Sequence, residues 1–245
     1  IRVGNKLYFG DNETIVAEVV DNTTSRGRTI RFIYDGDNAE FKQALFGIGS
    51  TPLPKYINRP QEELDKERYQ TVYAKNAGAI AAPTAGLHFS EELLKKITEK
   101  EITIAYITLH VGLGTFQTIK EEDFTRHTMH KEFYKIPQET IDAVHNARLL
   151  GKKIVATGTT ACRVLETIGK DGRVKEHSGW TDLFIYPPYQ FKITDSLVTN
   201  FHLQKTSLML LVTAFAGRER VLNAYKCAIE QGYRFYSYGD CMLII

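Results

Sequence analysis

Cysteine is scarce in this sequence: Cys162, Cys227 and Cys241 are its only three, an odd number with no C-x-x-C spacing. That disfavours a disulfide framework and a cysteine-built zinc site, and a reducing compartment is expected. Long apolar runs are lacking too. The stretch from Leu208 to Val212 falls far short of the ~18 residues a membrane span needs, and no signal-like segment opens the sequence. The expectation is a soluble, cytoplasmic protein with no membrane partner. Charge of one sign is not in excess, since 31 Lys and Arg face 29 Asp and Glu for a formal net charge of +2. Composition therefore gives no ground for a polybasic nucleic-acid arm, and any RNA contact has to be local. Internal repeats and low-complexity tracts are missing as well.

What is there is ordinary globular usage, 43% hydrophobic and 24% charged over 245 residues, enough chain for one large domain or two unequal ones. Two are expected. Residues 1–50 read as short strands (Lys6 to Phe9, Ile15 to Val20, Arg28 to Tyr34) separated by Gly10-Asp11-Asn12, Asp21-Asn22 and Asp35-Gly36-Asp37, a small all-β, barrel-like domain. Gly47 to Pro60, rich in proline and glycine, reads as the linker. Beyond it, residues 51–245 alternate strands and helices, which predicts an α/β domain with a mostly parallel sheet and helices on both faces. Ser90 is placed to cap a helix with Glu91 and Glu92 in its first turn; further helices are predicted for Gln138 to Leu150 and Ala161 to Ile168, and one along the face Val221, Leu222, Tyr225, Ala228 and Ile229. Predicted strands are Ile102 to Val111, Ile154 to Ala156, Leu183 to Tyr186, Leu197-Val198 and Arg234 to Tyr238.

Ligand sites in open α/β sheets gather at strand ends, where glycine lets a ligand approach the backbone. Three segments have that form. AAPTAGLHF, residues 81–89, is a small-residue loop containing Thr84 and Gly86 that leads through one imidazole, His88, to the Ser90 helix. HVGLGTF, residues 110–116, carries His110, Gly112, Gly114 and Thr115, but Gln117 breaks the G-x-G-x-x-G fingerprint, so a dinucleotide site is disfavoured. The third, Gly158-Thr159-Thr160 with Arg163 one turn on, joins a strand to a helix start and is suited to an anion; no P-loop lysine follows. Each is also readable as a connector, strand-end turn or helix cap. His127-x-x-His130 beside Glu132 is an unspecific metal pattern, and His145 and His177 read as solvent-side. Asn200 and His202 stand after a strand where a substrate amide or hydroxyl contact would sit, and Asp240 is either a site carboxylate or a turn residue. Residues 1–50 hold six Lys and Arg against seven Asp and Glu, the remainder 25 against 22, so Arg26, Arg28 and Arg31 more readily form a solvated strand face than a phosphate track.

AAPTAGLHF, HVGLGTF, HTMH, ATGTT, TDLFIYPPYQF, VTNFHL and YSYGD, in that order and joined by PLPKYI and ERYQTVYAK, resemble the S-adenosylmethionine:tRNA ribosyltransferase-isomerases of queuosine biosynthesis. The resemblance covers Thr51 to Ile245 and, more loosely, the first fifty residues. It implies an α/β domain with a small β-barrel. It also implies a reaction in which S-adenosylmethionine donates its ribosyl group to 7-aminomethyl-7-deazaguanine at the wobble position of tRNA, giving epoxyqueuosine and releasing adenine and methionine. S-adenosylmethionine is then a co-substrate, tRNA the partner, and no metal or redox cofactor is required; a monomer is expected. For that reaction, His88 and His110 are the candidate proton-transfer residues, because each lies on a glycine loop beside a candidate ligand pocket. Gly112, Gly114 and Thr115 would border the donor, and Thr159, Thr160 and Arg163 would hold its carboxylate or a tRNA phosphate. Gln204 stands where family members place proline, and Cys241 where a small residue is expected. Family chains extend upstream of the match to Ile1, and an upstream segment is expected here too. On residue types alone a metal-dependent hydrolase using His127 and His130, or a non-catalytic RNA-binding module, stays open.

Overall fold

A computed structural model describes residues 1–11, 13–22, 27–54, 56–112, 118–119, 121–169 and 177–245. The chain divides into two units, Ile1–Thr51 and Pro52–Ile245. In the first, β1 (Lys6–Phe9), β2 (Ile15–Asn22) and β3 (Arg28–Ile33) form an antiparallel sheet with β2 in the centre. Alternation dictates its sidedness. Ile15, Ala17 and Val19 are fully buried on one face of β2, each large side chain contributing about 1.5–3 kcal/mol. On the opposite face Arg31 pairs with its cross-strand neighbour Glu18 at 2.7 Å, and Arg28 donates to the Ile1 carbonyl, so neither lies in a row aimed at phosphates. Arg26 lies outside the described residues.

This unit is not all-β and its described strands do not form a barrel. Helix α1 (Asn38–Ile48) follows the sheet, started by a capping box in which Asp37 accepts from the Ala39 and Glu40 amides while Glu40 accepts from the Asp37 amide. Phe41 anchors the helix against Phe32 and Tyr34, with ring centroids 5.0 and 5.5 Å away. Three strands are too few to close on themselves, and the helix covers the face that a barrel would have turned inward.

The second unit holds two more three-stranded sheets. One is antiparallel, in the order β4 (Thr108–His110), β5 (Glu132–Lys135), β7 (Ser178–Thr181). The other places β8 (Ser196–Asn200) between β6 (Val155–Thr157), which is parallel to it, and β9 (Cys241–Ile244), which is antiparallel. Six helices accompany them among the described residues: α2 (Asp65–Arg68), α3 (Glu91–Glu99), α4 (Gln138–Leu149), α5 (Thr159–Ile168), α6 (Ser207–Ala216) and α7 (Arg218–Glu230). The class is mixed α/β, but the expected mostly parallel sheet is corrected: β6–β8 is the single parallel pair among the described strands. The core joins Ala156 and Leu197 to Val164 on α5, Leu211 and Val212 on α6 and Val221 on α7.

Three predicted strands also change. Of Ile102 to Val111 only Thr108–His110 pairs, because upstream the Tyr106 carbonyl is taken by the Thr140 hydroxyl at 2.7 Å instead of by a ladder. Leu183 to Tyr186 is irregular, its Leu183 carbonyl accepting from Arg163 Nε at 3.2 Å. Arg234 to Tyr238 is a turn, since Tyr236 adopts φ 72°, a left-handed conformation that no strand tolerates, and the strand forms instead at Cys241–Ile244. On α5 the fully buried Glu166 accepts from the Lys192, Ile193 and Thr194 amides at 2.8, 3.1 and 2.9 Å, stapling the loop that feeds β8.

Candidate functional site

A cleft opens where β6 and β8 end together, the place at which parallel strands leave backbone groups for a ligand. After β6 the chain turns at Gly158, with φ 93°, and enters α5. Gly158 sends its amide back to the Val198 carbonyl at 2.8 Å, and no side chain caps the helix. The first-turn amides around Thr159 and Thr160 therefore face the cleft without a side-chain acceptor, an arrangement that favours an anion. Across from them lies the 3-10 turn Thr84–His88, whose Thr84 lines the cleft.

Asn200 ends β8 and is almost wholly buried. Its Nδ2 donates to the Tyr236 carbonyl at 3.1 Å and to the Gly239 carbonyl at 3.4 Å, and lies 3.3 Å from His88 Nε2. Because the two carbonyls accept only, the amide orientation is fixed; an N–H on His88 Nε2 would meet the amide donor, which puts the proton of the neutral ring on Nδ1. Burial lowers the His88 pKa; the Asp240 carboxylate opposes that and Arg234 adds to it. Asp240 accepts from the Arg234 amide at 2.7 Å and its guanidinium at 3.2 Å, contacts that hold it below the usual carboxylate range. It is thus a turn residue that keeps a negative charge near His88. His202 lines the cleft with Nε2 2.7 Å from the Thr199 hydroxyl, and burial pushes its pKa down to about 4.

The turn at residues 234–240 is latched from far away in sequence. The hydroxyls of Tyr56 and Ser237 hydrogen-bond, and Tyr56 also accepts from the Ser237 amide at 3.0 Å. Tyr238 donates to Asp65 at 2.8 Å, and Asp65 is gripped by both ends of the Arg59 guanidinium at 2.7 Å. Tyr56, Tyr236 and Ser237 all line the cleft and were not singled out from sequence; the only signal was their place in PLPKYI and YSYGD.

Other expected site residues lie elsewhere. Arg163 forms a buried ion pair with Glu132 through Nη1 at 2.6 Å, leaves Nη2 buried without a partner, and does not line the cleft where a ligand carboxylate was expected to meet it. Gly112 donates its amide to the same Glu132 at 2.9 Å. A side chain at Gly86 would collide with the Tyr73 hydroxyl, so this glycine serves close packing and not ligand approach. Neither His88 nor His110 is among the residues that line the cleft, although Thr84, Asn200 and Val111 near them are; His88 touches the lining through Asn200. His110 lies flat against Phe133, with ring planes 11° apart and Nδ1 buried without a partner. His88 and His110 are therefore not brought together. Gly114 and Thr115 lie outside the described residues. His127 is 3.2 Å from Glu121 and edge-on to Phe184, while His130 is exposed, and among the described residues no three His, Cys, Asp or Glu side chains gather as metal ligands. No described helix is long and apolar enough to cross a membrane.

The S-adenosylmethionine:tRNA ribosyltransferase-isomerase of Phocaeicola vulgatus is 54% identical over the whole chain, and that of Cytophaga hutchinsonii 53%; the chain spans 70% of the length of each. A crystal structure of S-adenosylmethionine tRNA ribosyltransferase from Thermotoga maritima matches all of the chain and 66% of its own, with 33% identity and a TM-score of 0.55. The family model described as queuosine biosynthesis protein matches residues 1–244. On a match of that extent, the chain belongs to the queuosine biosynthesis protein family.

Proposed function

We propose that this protein transfers and isomerises the ribosyl group of S-adenosylmethionine onto 7-aminomethyl-7-deazaguanine at the tRNA wobble position, yielding epoxyqueuosine-tRNA, adenine and methionine. The carrying observation is 54% identity, across the entire chain, to a relative named for this activity. S-adenosylmethionine is consumed as a substrate, and the reading calls for no bound cofactor. A soluble, cytoplasmic monomer suits it.

The cleft chemistry fits the demands of that reaction. The sulfonium acidifies its neighbouring 5′ carbon, so a base must take a proton there. His88, at the end of the 3-10 turn whose Thr84 lines the cleft, is kept neutral by burial and takes that proton on Nε2, where the 3.3 Å contact from Asn200 gives way because the Tyr236 and Gly239 carbonyls hold both Asn200 N–H groups. The Asp240 carboxylate nearby favours the imidazolium that results and the positive sulfur beside it. The first-turn amides of α5, with Thr159 and Thr160, take the methionine carboxylate, and Thr84, Gly158 and His202 border the donor. Arg163 acts through Glu132, which fixes the Gly112 backbone at the start of the glycine loop.

The test is to incubate the full-length protein with S-adenosylmethionine and tRNA bearing the aminomethyl base and to follow adenine by chromatography. Adenine release in proportion to modified tRNA is expected. Its absence would sink the reading.

A further inference from the structure

The outer face of the β4–β5–β7 sheet carries an aromatic row that the proposed chemistry does not use. Register places His110 opposite Phe133 and Phe133 opposite Trp180, so three rings stand side by side across the strands. The rings of His110 and Phe133 are parallel within 11° at 6.0 Å, and Trp180 meets Phe133 edge-on at 5.6 Å. Alternation sends Leu109 and Tyr134 to the opposite face, into the core. The row therefore looks outward, and Trp180, the only tryptophan, is 64% exposed. Leaving the largest apolar side chain in water is a cost that a partner would relieve.

The chemistry of the face selects the partner. The next row along the same face is Thr108, Lys135 and Ser178, two hydroxyls flanking an exposed ammonium, and exposed Lys131 stands at the other end of β5. The acid of β5, Glu132, points to the other side and is neutralised by Arg163. Flat rings with cationic and hydroxyl groups one pleat away match an unpaired base and its phosphodiester. The ring of His110 is suited to a platform more than to proton transfer, since its Nδ1 is closed in beside Gly78, where a Cβ would come within 2.6 Å of it.

We propose that the His110–Phe133–Trp180 row is a stacking platform for an unpaired nucleotide of the tRNA substrate. The proposal rests on the transferase reading, and the test separates the two. In the full-length protein, the emission lost in Trp180→Phe isolates the signal of Trp180. That signal is expected to be open to acrylamide in the free protein and to be quenched and shielded on addition of tRNA. Trp180→Ala is expected to weaken tRNA binding by about 5- to 100-fold, the range of one lost base stack, with the KM for S-adenosylmethionine unchanged and Trp180→Phe restoring most of the affinity. Tight binding of tRNA by Trp180→Ala would overturn the platform. So would a Trp180 shielded before tRNA is added, which would assign the face to another segment or a second copy. Unaltered protein that neither binds tRNA nor releases adenine would overturn the transferase reading and the platform with it, whereas adenine release with Trp180 indifferent to tRNA would overturn the platform alone.

Discussion

Asn200 and Tyr236 are joined by a 3.1 Å hydrogen bond from the Asn200 amide to the Tyr236 carbonyl, and Tyr236 is an aromatic residue held at φ 72°. A left-handed tyrosine costs on the order of 1–2 kcal/mol and persists only where its surroundings impose it. Here β8 imposes it through Asn200, and the Tyr56 hydroxyl does so through Ser237. The strand end thereby fixes the turn, and the turn presents Tyr236 and Ser237 to the cleft.

Replacing Asn200 with alanine removes a donor shared by two carbonyls and lying against the ring nitrogen of His88. The expected loss of stability is about 1–3 kcal/mol, read by thermal or urea unfolding. Asn200→Asp should destabilise more than Asn200→Ala, because it turns a buried carboxylate toward two carbonyl oxygens while filling the same space. Wild-type adenine release in both variants would remove Asn200 from the site.

The pH dependence follows from His88. Burial disfavours its imidazolium, so if the neutral ring is the base, the acid limb of kcat/KM should have its midpoint below the ordinary histidine value of ~6.5. Asp240 is the group that raises this pKa, so Asp240→Asn should move the midpoint further down. A midpoint that rises in Asp240→Asn would contradict the proposed electrostatics. His88→Ala should abolish adenine release without unfolding the protein.

Much of this arrangement was legible in the sequence where the signal is local. Helix α3 begins after Ser90, which accepts from the Leu93 amide as a cap should, and α4 and α5 fall within two residues of their expected bounds. The D-x-x-E signature of α1 was also present in Asp37 and Glu40, but lay among turn residues and was absorbed into them. The turn that builds the cleft was not legible. Its bonds connect residues 173 and 181 positions apart, and a YSYGD segment rich in tyrosine has strand propensity until those bonds bend it.

His202 gives a stability prediction with a defined sign. Its pKa in the folded state is about 4, whereas an unfolded histidine titrates near ~6.5. As pH falls through 6.5, the unfolded chain takes up a proton that the folded one refuses until about pH 4. Stability should therefore decline across that window, by up to about 3 kcal/mol. His202→Gln should flatten the decline in urea midpoints measured between pH 7 and 4. An unchanged slope would place the titrating group elsewhere.

The buried Arg163–Glu132 pair separates a structural role from a ligand-binding one. Arg163→Met leaves Glu132 as a buried charge that has lost its guanidinium, which costs about 3–5 kcal/mol. Adding Glu132→Gln should recover part of that, since the amide oxygen still accepts from Gly112. A raised KM for S-adenosylmethionine with unchanged stability would instead show Arg163 holding the donor directly.

The start of α5 supplies the sharpest test of donor orientation. Its first-turn amides have no side-chain cap and face the cleft beside Thr159 and Thr160. If the methionine carboxylate sits there, Thr160→Glu places a like charge at the same positive helix end and competes for it. Helix stability should hold or improve slightly, because an acid in the first turn suits the macrodipole, while the KM for S-adenosylmethionine rises by about tenfold or more. The KM for tRNA should stay level, since the change lies at the donor end of the cleft. A rise confined to the tRNA KM would mean that the helix start holds a phosphate of the RNA, and the donor would then have to enter the cleft with its carboxylate toward another group.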